Sequence, residues 1–377
     1  IDKKDINSVI SSLKSNHLTQ GPKIKEFENA LKKKFKAKYC SLVSNGTAAL
    51  HLTGIALGWK KSHIIISSPI TFLAGPNSVV YSNATPGFVD IDEKTYNINI
   101  DDLEKKINKL KFSKKKIKAV IATDYAGQPC DWKNLRKLAD KYKFYLINDN
   151  CHAIGAKYFG NIGYASKYAD VVIHSYHAIK NITTGEGGAV FSNNKKFINK
   201  INSLKSHGLE KIKLKTNHNS AWPYNMTDLG FNYRITDFQC ALGISQLKKL
   251  SIFLRRRNEI AKIYNENLAN MKNLILPYVK PNIFHAYHLF PIKINFKKIA
   301  ISKEKLLKTF KKHNINLQIH YFPVHLQPFY RKKFKFKKNS YPKAEDFHSS
   351  TVSLPIFYAL KDFQIYKIIK LLKRLVK

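Results

Sequence analysis

The chain has 377 residues, 44% of them hydrophobic, and carries 66 Lys plus Arg against 25 Asp plus Glu, a formal net charge of +41. That length and apolar content fit a globular protein with two packed domains, and no apolar run approaches the roughly 20 residues of a membrane helix, so a soluble protein without a membrane partner is expected. The positive charge is spread over the whole chain, often in helix-like runs such as 103–118, alongside abundant Ile and Asn; it reads as composition rather than as a nucleic-acid surface, though it favours an anionic substrate.

The chain opens on Ile1 without an initiating Met and is expected to lack its first residues. Residues 1–8 mix charges with no apolar core, so no secretory leader is expected and the cytoplasm is the expected compartment. The four cysteines, Cys40, Cys130, Cys151 and Cys240, stand far apart without metal-ligand spacing. They are expected to be reduced, with no disulfide and no metal.

From about residue 40 to 192, short apolar β-rich runs alternate with amphipathic or turn-rich segments, the pattern of a mainly parallel sheet covered by helices. The clearest strands are 40–43, 64–67, 119–123, 145–148 and 171–174. In such sheets ligands sit beyond the carboxyl ends of the strands, and there this sequence concentrates its polar residues. After the first strand, Ser44-Asn45-Gly46-Thr47-Ala48-Ala49 leads into a helix predicted over 48–57. Strand, glycine turn and helix start together make an anion site, although the same residues also suit a simple helix cap. After the second strand, Phe72 in Pro69-Ile70-Thr71-Phe72 either lies against a flat heterocycle or joins the core.

Asp149, in Asn148-Asp149-Asn150-Cys151-His152, ends a buried strand, where an acid can pair with a protonated ring nitrogen or cap a helix. His152 is a cofactor neighbour or a core histidine. The stretch His174-Ser175-Tyr176-His177-Ala178-Ile179-Lys180, followed by Gly185, Gly187 and Gly188, places a lysine between a strand end and a glycine-rich turn. A rigidly held, partly desolvated amine there suits a Schiff base with a carbonyl cofactor. A helix follows over 237–250, carried onward by Arg255, Arg256 and Arg257, with a domain boundary near Phe253. Domains of 1–253 and 254–377 are expected, the second a smaller α+β unit with extended pieces at 287–294 and 316–322 and helices at 303–313 and near the carboxyl end.

Taken together, the phosphate turn, Thr71-Phe72, Asp149 with His152, and Ser175 with Lys180 resemble the DegT/StrS family of pyridoxal-phosphate nucleotide-sugar aminotransferases. The resemblance continues through Leu18-Thr19-Gln20-Gly21-Pro22, Ser206-His207-Gly208, Asn232-Tyr233-Arg234, Tyr287-His288-Leu289-Phe290 and His320-Tyr321-Phe322-Pro323. It implies an α/β fold of aminotransferase type I, with a large domain on a mainly parallel sheet. It also implies pyridoxal 5'-phosphate bound as a Schiff base to Lys180, with Asp149 at the ring nitrogen. Thr47, Ala48 and Ser175 would hold the phosphate, with Gly46 also at the cofactor, Phe72 stacking on the ring and His152 beside it. Asn232 resembles a residue that reaches the neighbouring subunit's cofactor, which implies a homodimer with composite active sites. Thr19, Gln20, His207, His320 and Tyr321 are substrate-side candidates. Asn148 departs from the family, standing where many members have an acid.

The phrases Asp124-Tyr125-Ala126-Gly127, Tyr176-His177-Ala178-Ile179-Lys180 and Ala344-Glu345-Asp346-Phe347 are similar to the branch serving pseudaminic acid biosynthesis. That likeness implies amination at C4 of a UDP-linked 4-keto-6-deoxy-N-acetylhexosamine, with L-glutamate as donor. The product is then UDP-4-amino-4,6-dideoxy-N-acetyl-β-L-altrosamine. Alternatives are another 3- or 4-aminotransferase of nucleotide sugars, or a 3-dehydratase on the same scaffold, which Lys180 in place of histidine argues against. A basic nucleic-acid-binding regulator is favoured by charge alone.

Overall fold

The computed structural model describes residues 1–110, 116–211 and 224–376. Its first eight strands are β1 (Tyr39–Val43), β2 (His63–Ser67), β3 (Thr85–Phe88), β4 (Lys116–Thr123), β5 (Tyr145–Asp149), β6 (Lys157–Tyr158), β7 (Val171–Ser175) and β8 (Gly188–Ser192). All but β6 join one seven-stranded sheet in the order β1-β8-β7-β5-β4-β2-β3. Only β8 runs against its neighbours, pairing antiparallel with both β1 and β7, so the sheet is mainly parallel, as the alternation of segments predicts.

Alternation along the strands explains why this sheet is buried on both faces. Leu42, Val120, Leu146 and Val172 enter the core on one face, while Val43, Ile121, Ile147 and Ile173 enter the core on the other. Each such side chain, fully buried, contributes about 1.5–3 kcal/mol. The five predicted strands appear with their ends extended by up to three residues, whereas β3 and β8 were not among them. β3 carries Pro86, which donates no hydrogen bond and sits on the outermost strand of the sheet, where none is needed. The helix-like run 103–118 is corrected. A helix spans Ile100–Leu110, residues 111–115 lie outside those described, and 116–118 belong to β4, where Lys116 and Ile117 pair with His63 and Ile64 of β2.

The helix predicted over 237–250 runs unbroken through Asp237–Leu268, started by Thr236 and Gln239 in a reciprocal capping box. Its first half packs Cys240, Leu247, Leu250 and Leu254 into the sheet's core, and its second half packs Ile260, Tyr264 and Leu268 into a separate cluster. Of the remaining strands, β9 (Leu209–Lys211) pairs with β10 (Tyr224–Met226), and β11 (Leu274–Ile275) begins a small antiparallel sheet. β12 (Ile283–Phe284) reaches back to β6, while β13 (Phe290–Ile294) and β14 (Thr351–Leu354) complete that small sheet. The extended piece predicted at 287–294 becomes a strand only from Phe290, because Tyr287 takes a left-handed conformation (φ 42°). The piece at 316–322 makes a single bridge, from Gln318 to Ser353 of β14. No described helix is long and apolar enough to cross a membrane.

Candidate active site

The parallel strands end along one edge, and their carboxyl ends open on a cavity of about 940 Å³. Thr123 closes β4, Asp149 closes β5 and Ser175 closes β7, while the turn after β1 brings Gly46, Thr47 and Ala48 to the same rim. The chain is tightly packed here. A side chain on Gly46 would meet Ser175 Cβ at 2.9 Å, and one on Gly188 would meet the Asn45 backbone at 2.5 Å, so both glycines are needed for β8 and β7 to approach the turn.

The Ser44–Ala49 segment does cap a helix. Asn45 caps the helix Gly46–Ala56, its side chain accepting from Ala48 N at 2.8 Å, and Ala49 N donates to Asn45 O at 3.1 Å. The Ala48 amide is therefore engaged by the cap. The Gly46 and Thr47 amides open the same helix at the cavity rim, where the helix dipole favours an anion.

Lys180 sits on a pinned loop. Its own N–H donates to His177 O at 2.9 Å, Asn181 Nδ2 donates to Ile154 O at 3.2 Å, and Thr184 N donates to Tyr176 O at 2.9 Å. The side chain is half-buried and opens on the cavity, and the protein packed around it lowers the amine's pKa below its ordinary value against the opposing pull of Cys151 and Asp149. A lysine in this state has a larger neutral, nucleophilic fraction than one in water. Asp149 does not cap a helix. Its Oδ1 accepts from Cys151 N at 3.2 Å within a turn, and its side chain lines the cavity.

His152 is 2% exposed and its Nε2 lies 3.0 Å from the Tyr321 hydroxyl. Burial, then the nearby Lys180, pushes His152 well below the usual imidazole range, so the ring is neutral, and its buried Nδ1 has no hydrogen-bond partner among the described residues. His320 is held to about 4, first by burial and then by Lys180, and its Nδ1 lies 3.0 Å from Ser353 Oγ. Phe72 is 55% exposed at the mouth, its ring centre 6.0 Å from that of Tyr321.

Of the residues singled out from sequence, Gly46, Thr47, Ala48, Phe72, Asp149, His152, Ser175, Lys180, His320 and Tyr321 all line this one cavity. Thr19, Gln20, His207 and Asn232 do not line it and are exposed. These four share one strip of surface. Thr19 bridges Thr236, Ser206 bridges Asn232, and His207 N donates to Phe231 O at 2.9 Å. The cavity also contains residues that sequence reasoning missed, among them His51, Tyr81, Glu186, Tyr233 and Gln318. His51 was legible in principle, standing one helical turn beyond Thr47 on the same face. Among the described residues no cluster of His, Cys, Asp and Glu could hold a metal ion.

A half-buried amine of lowered pKa, a carboxylate and a helix start along one edge of the sheet are the parts of a type I aminotransferase, and residues 1–373 match the DegT/DnrJ/EryC1/StrS aminotransferase family. The chain belongs to that family, and it is an enzyme with aminotransferase activity. It is 40% identical over its whole length, and over 96% of the relative, to an uncharacterized protein of Methanocaldococcus jannaschii. It is 36% identical to the UDP-4-amino-4,6-dideoxy-N-acetyl-beta-L-altrosamine transaminase of Campylobacter jejuni, covering 97% of this chain and 94% of that protein. The structure of Helicobacter pylori PseC, an aminotransferase involved in the biosynthesis of pseudoaminic acid, superposes with a TM-score of 0.87 at 29% identity, covering 100% of this chain and 97% of that one.

The cofactor is pyridoxal phosphate. The cavity fits it. Amides at a helix start suit the phosphate, an aromatic ring stands at the mouth, and an amine of lowered pKa shares the space with a carboxylate.

Proposed function

We propose that this aminotransferase moves the amino group of L-glutamate to C4 of a UDP-linked 4-keto-6-deoxy-N-acetylhexosamine, giving UDP-4-amino-4,6-dideoxy-N-acetyl-β-L-altrosamine in pseudaminic acid biosynthesis. The observation that carries the reading is a cavity containing Lys180 and Asp149 in a chain 36% identical to a transaminase of that name. When bound, pyridoxal phosphate supplies an electron-withdrawing ring that stabilises negative charge on the substrate carbon. Lys180 is the residue that would carry it, and the Lys180 Nζ takes the proton from the donor carbon and returns one on the acceptor side. Asp149 is the carboxylate for the ring nitrogen. The Gly46 and Thr47 amides and the Ser175 hydroxyl are the phosphate ligands, while Phe72 and His152 flank the ring. His320 and Tyr321 form the sugar-side wall.

In this reading the enzyme is a cytoplasmic homodimer, and it needs no nucleic acid or membrane. Thr19, Gln20, His207 and Asn232 serve the cavity of the second copy, which accounts for a strip of site residues lying outside their own cavity. Units 1–253 and 254–377 meet within the helix Asp237–Leu268. The test is incubation with L-glutamate and a panel of UDP- and GDP-linked keto sugars, with product stereochemistry read by NMR. The C4-aminated altrosamine derivative is expected. Preferred amination of a GDP-sugar, or of a 3-keto sugar, would refute the assignment.

A further inference from the structure

Asp124 follows β4 and is fully buried, on the side of β5 away from the cavity. Its Oδ1 accepts from Cys130 N at 2.7 Å and Trp132 Nε1 at 2.9 Å. Its Oδ2 accepts from Tyr164 Oη at 2.6 Å, Asn150 Nδ2 at 2.9 Å and Asn148 Nδ2 at 3.1 Å. Asn148 and Asn150 are the residues on either side of Asp149 in sequence, and because side chains alternate along extended chain, both reach Asp124 while Asp149 faces the cavity. The Asp124 N–H donates to Asp149 O at 3.2 Å, so the same residue also holds Asp149's own backbone.

We propose that Asp124 is a positioning residue for Asp149: by gripping both flanking asparagines and the Asp149 carbonyl, it fixes the carboxylate that faces the cofactor ring. The inference rests on the reading of Asp149 as that partner. A loosely held carboxylate would lose this role, since an acid that must meet a ring nitrogen depends on geometry held to a fraction of an ångström. None of the five donors is a cation, and burial raises Asp124 to about 6 despite them. A carboxyl whose pKa is higher folded than unfolded binds its proton more tightly in the native state, so its contribution to stability falls as pH rises from the ordinary 3.8 through about 6. Near neutral pH the ionised group therefore costs stability, and what it provides in return is the hold on residues 148–150. The titratable groups that face it are Tyr164 and Cys130, both pushed by burial well above their ordinary ranges and so neutral.

Asp124→Asn keeps the shape but sets an amide nitrogen or a neutral oxygen against donors that now meet a charge. Three quantities are measured: the melting temperature of the protein without cofactor, the affinity for pyridoxal phosphate in a Lys180→Ala background, and the pH midpoint of the bound cofactor's visible absorbance with Lys180 in place. The variant is expected to bind the cofactor on the order of tenfold more weakly, the cost of misplacing one charged hydrogen bond, and to shift the absorbance midpoint. The exchange Asp124→Asn with Asn148→Asp restores an acid and an amide in reversed positions, and should return both cofactor readouts toward the parent. A changed melting temperature with both cofactor readouts at parental values would make Asp124 a core residue only and overturn the proposal. Should Asp124→Asn fail to fold, Asn150→Ser removes one arm of the grip, and the same readouts decide in the same way. If Asp149→Asn itself leaves both cofactor readouts unchanged, the reading of Asp149 fails instead.

Discussion

The floor of the cavity, legible in local strand-end phrases, and the exposed strip Thr19, Gln20, His207 and Asn232, legible only through the family resemblance, fare differently, because one chain assembles only the first. The floor residues follow parallel strands, and a parallel sheet brings its carboxyl ends to one edge whatever the distance between them in sequence. Thr19 and His207 pair through the backbone with Thr236 and Phe231, Asn232 pairs with Ser206, and the side chains of the strip lie at the surface. A motif at a strand end therefore finds its site within its own chain. A motif on an outer loop finds one only if something docks against it, and in the proposed homodimer that is a second copy.

The largest effect is expected at Lys180, on the cavity floor. Lys180→Ala should abolish transamination, a loss on the order of 10³-fold or more, while leaving far-UV circular dichroism unchanged, since the amine supplies proton transfer and not core volume. Ordinary turnover by the purified variant would remove Lys180 from the mechanism. Next, Asp149→Asn should slow proton removal from glutamate on the order of 10²-fold, because an amide stabilises the charged ring poorly; stopped-flow single turnovers with deuterated glutamate would report it. On the strip, Asn232→Ala alone should impair activity without touching its own cavity. Co-expressed Lys180→Ala and Asn232→Ala chains should recover activity beyond either homodimer, because one of the two sites then carries neither lesion. Heterodimers without recovery would mean that Asn232 acts within its own subunit.

The smallest effect concerns stability. Asp5, fully buried, accepts from Lys249 Nζ at 2.6 Å, Gln246 Nε2 at 2.8 Å and Ser245 Oγ at 2.6 Å, and these bonds outweigh desolvation to hold its carboxyl at about 2. A carboxyl depressed in the folded state stabilises it above the unfolded value, and that stability is lost as pH falls from 3.8 toward about 2. Asp5→Asn should cost about 1–2 kcal/mol at neutral pH in urea titrations and flatten the acid limb of stability over that window.

Much of the cavity was legible because its residues sit in short strand-to-turn phrases, each with a local reason to be where it is. Asp149 and Lys180 needed only strand ends and a glycine-rich turn. The wall at His320 and Tyr321 was legible through the resemblance alone, because these residues lie on a piece with a single bridge and no periodicity. Glu186 lies within the glycine-rich turn, where the glycines and not the acid carry the sequence signal. β3 was masked by Pro86, and the end of the helix-like run 103–118 by lysines that suit a helix surface as well as an edge of β4. The role of Asp124 was not legible at all, since nothing in Asp124-Tyr125-Ala126-Gly127 says that its carboxylate will meet Asn148 and Asn150 across the sheet.

Everything proposed for this cavity depends on Lys180 being the residue that bears the cofactor. Treating the holoenzyme with borohydride, digesting it and locating the pyridoxyl mass by tandem mass spectrometry tests this directly. A single labelled peptide with the added mass on Lys180 is expected. Label on any other lysine, with Lys180 unmodified, would contradict it.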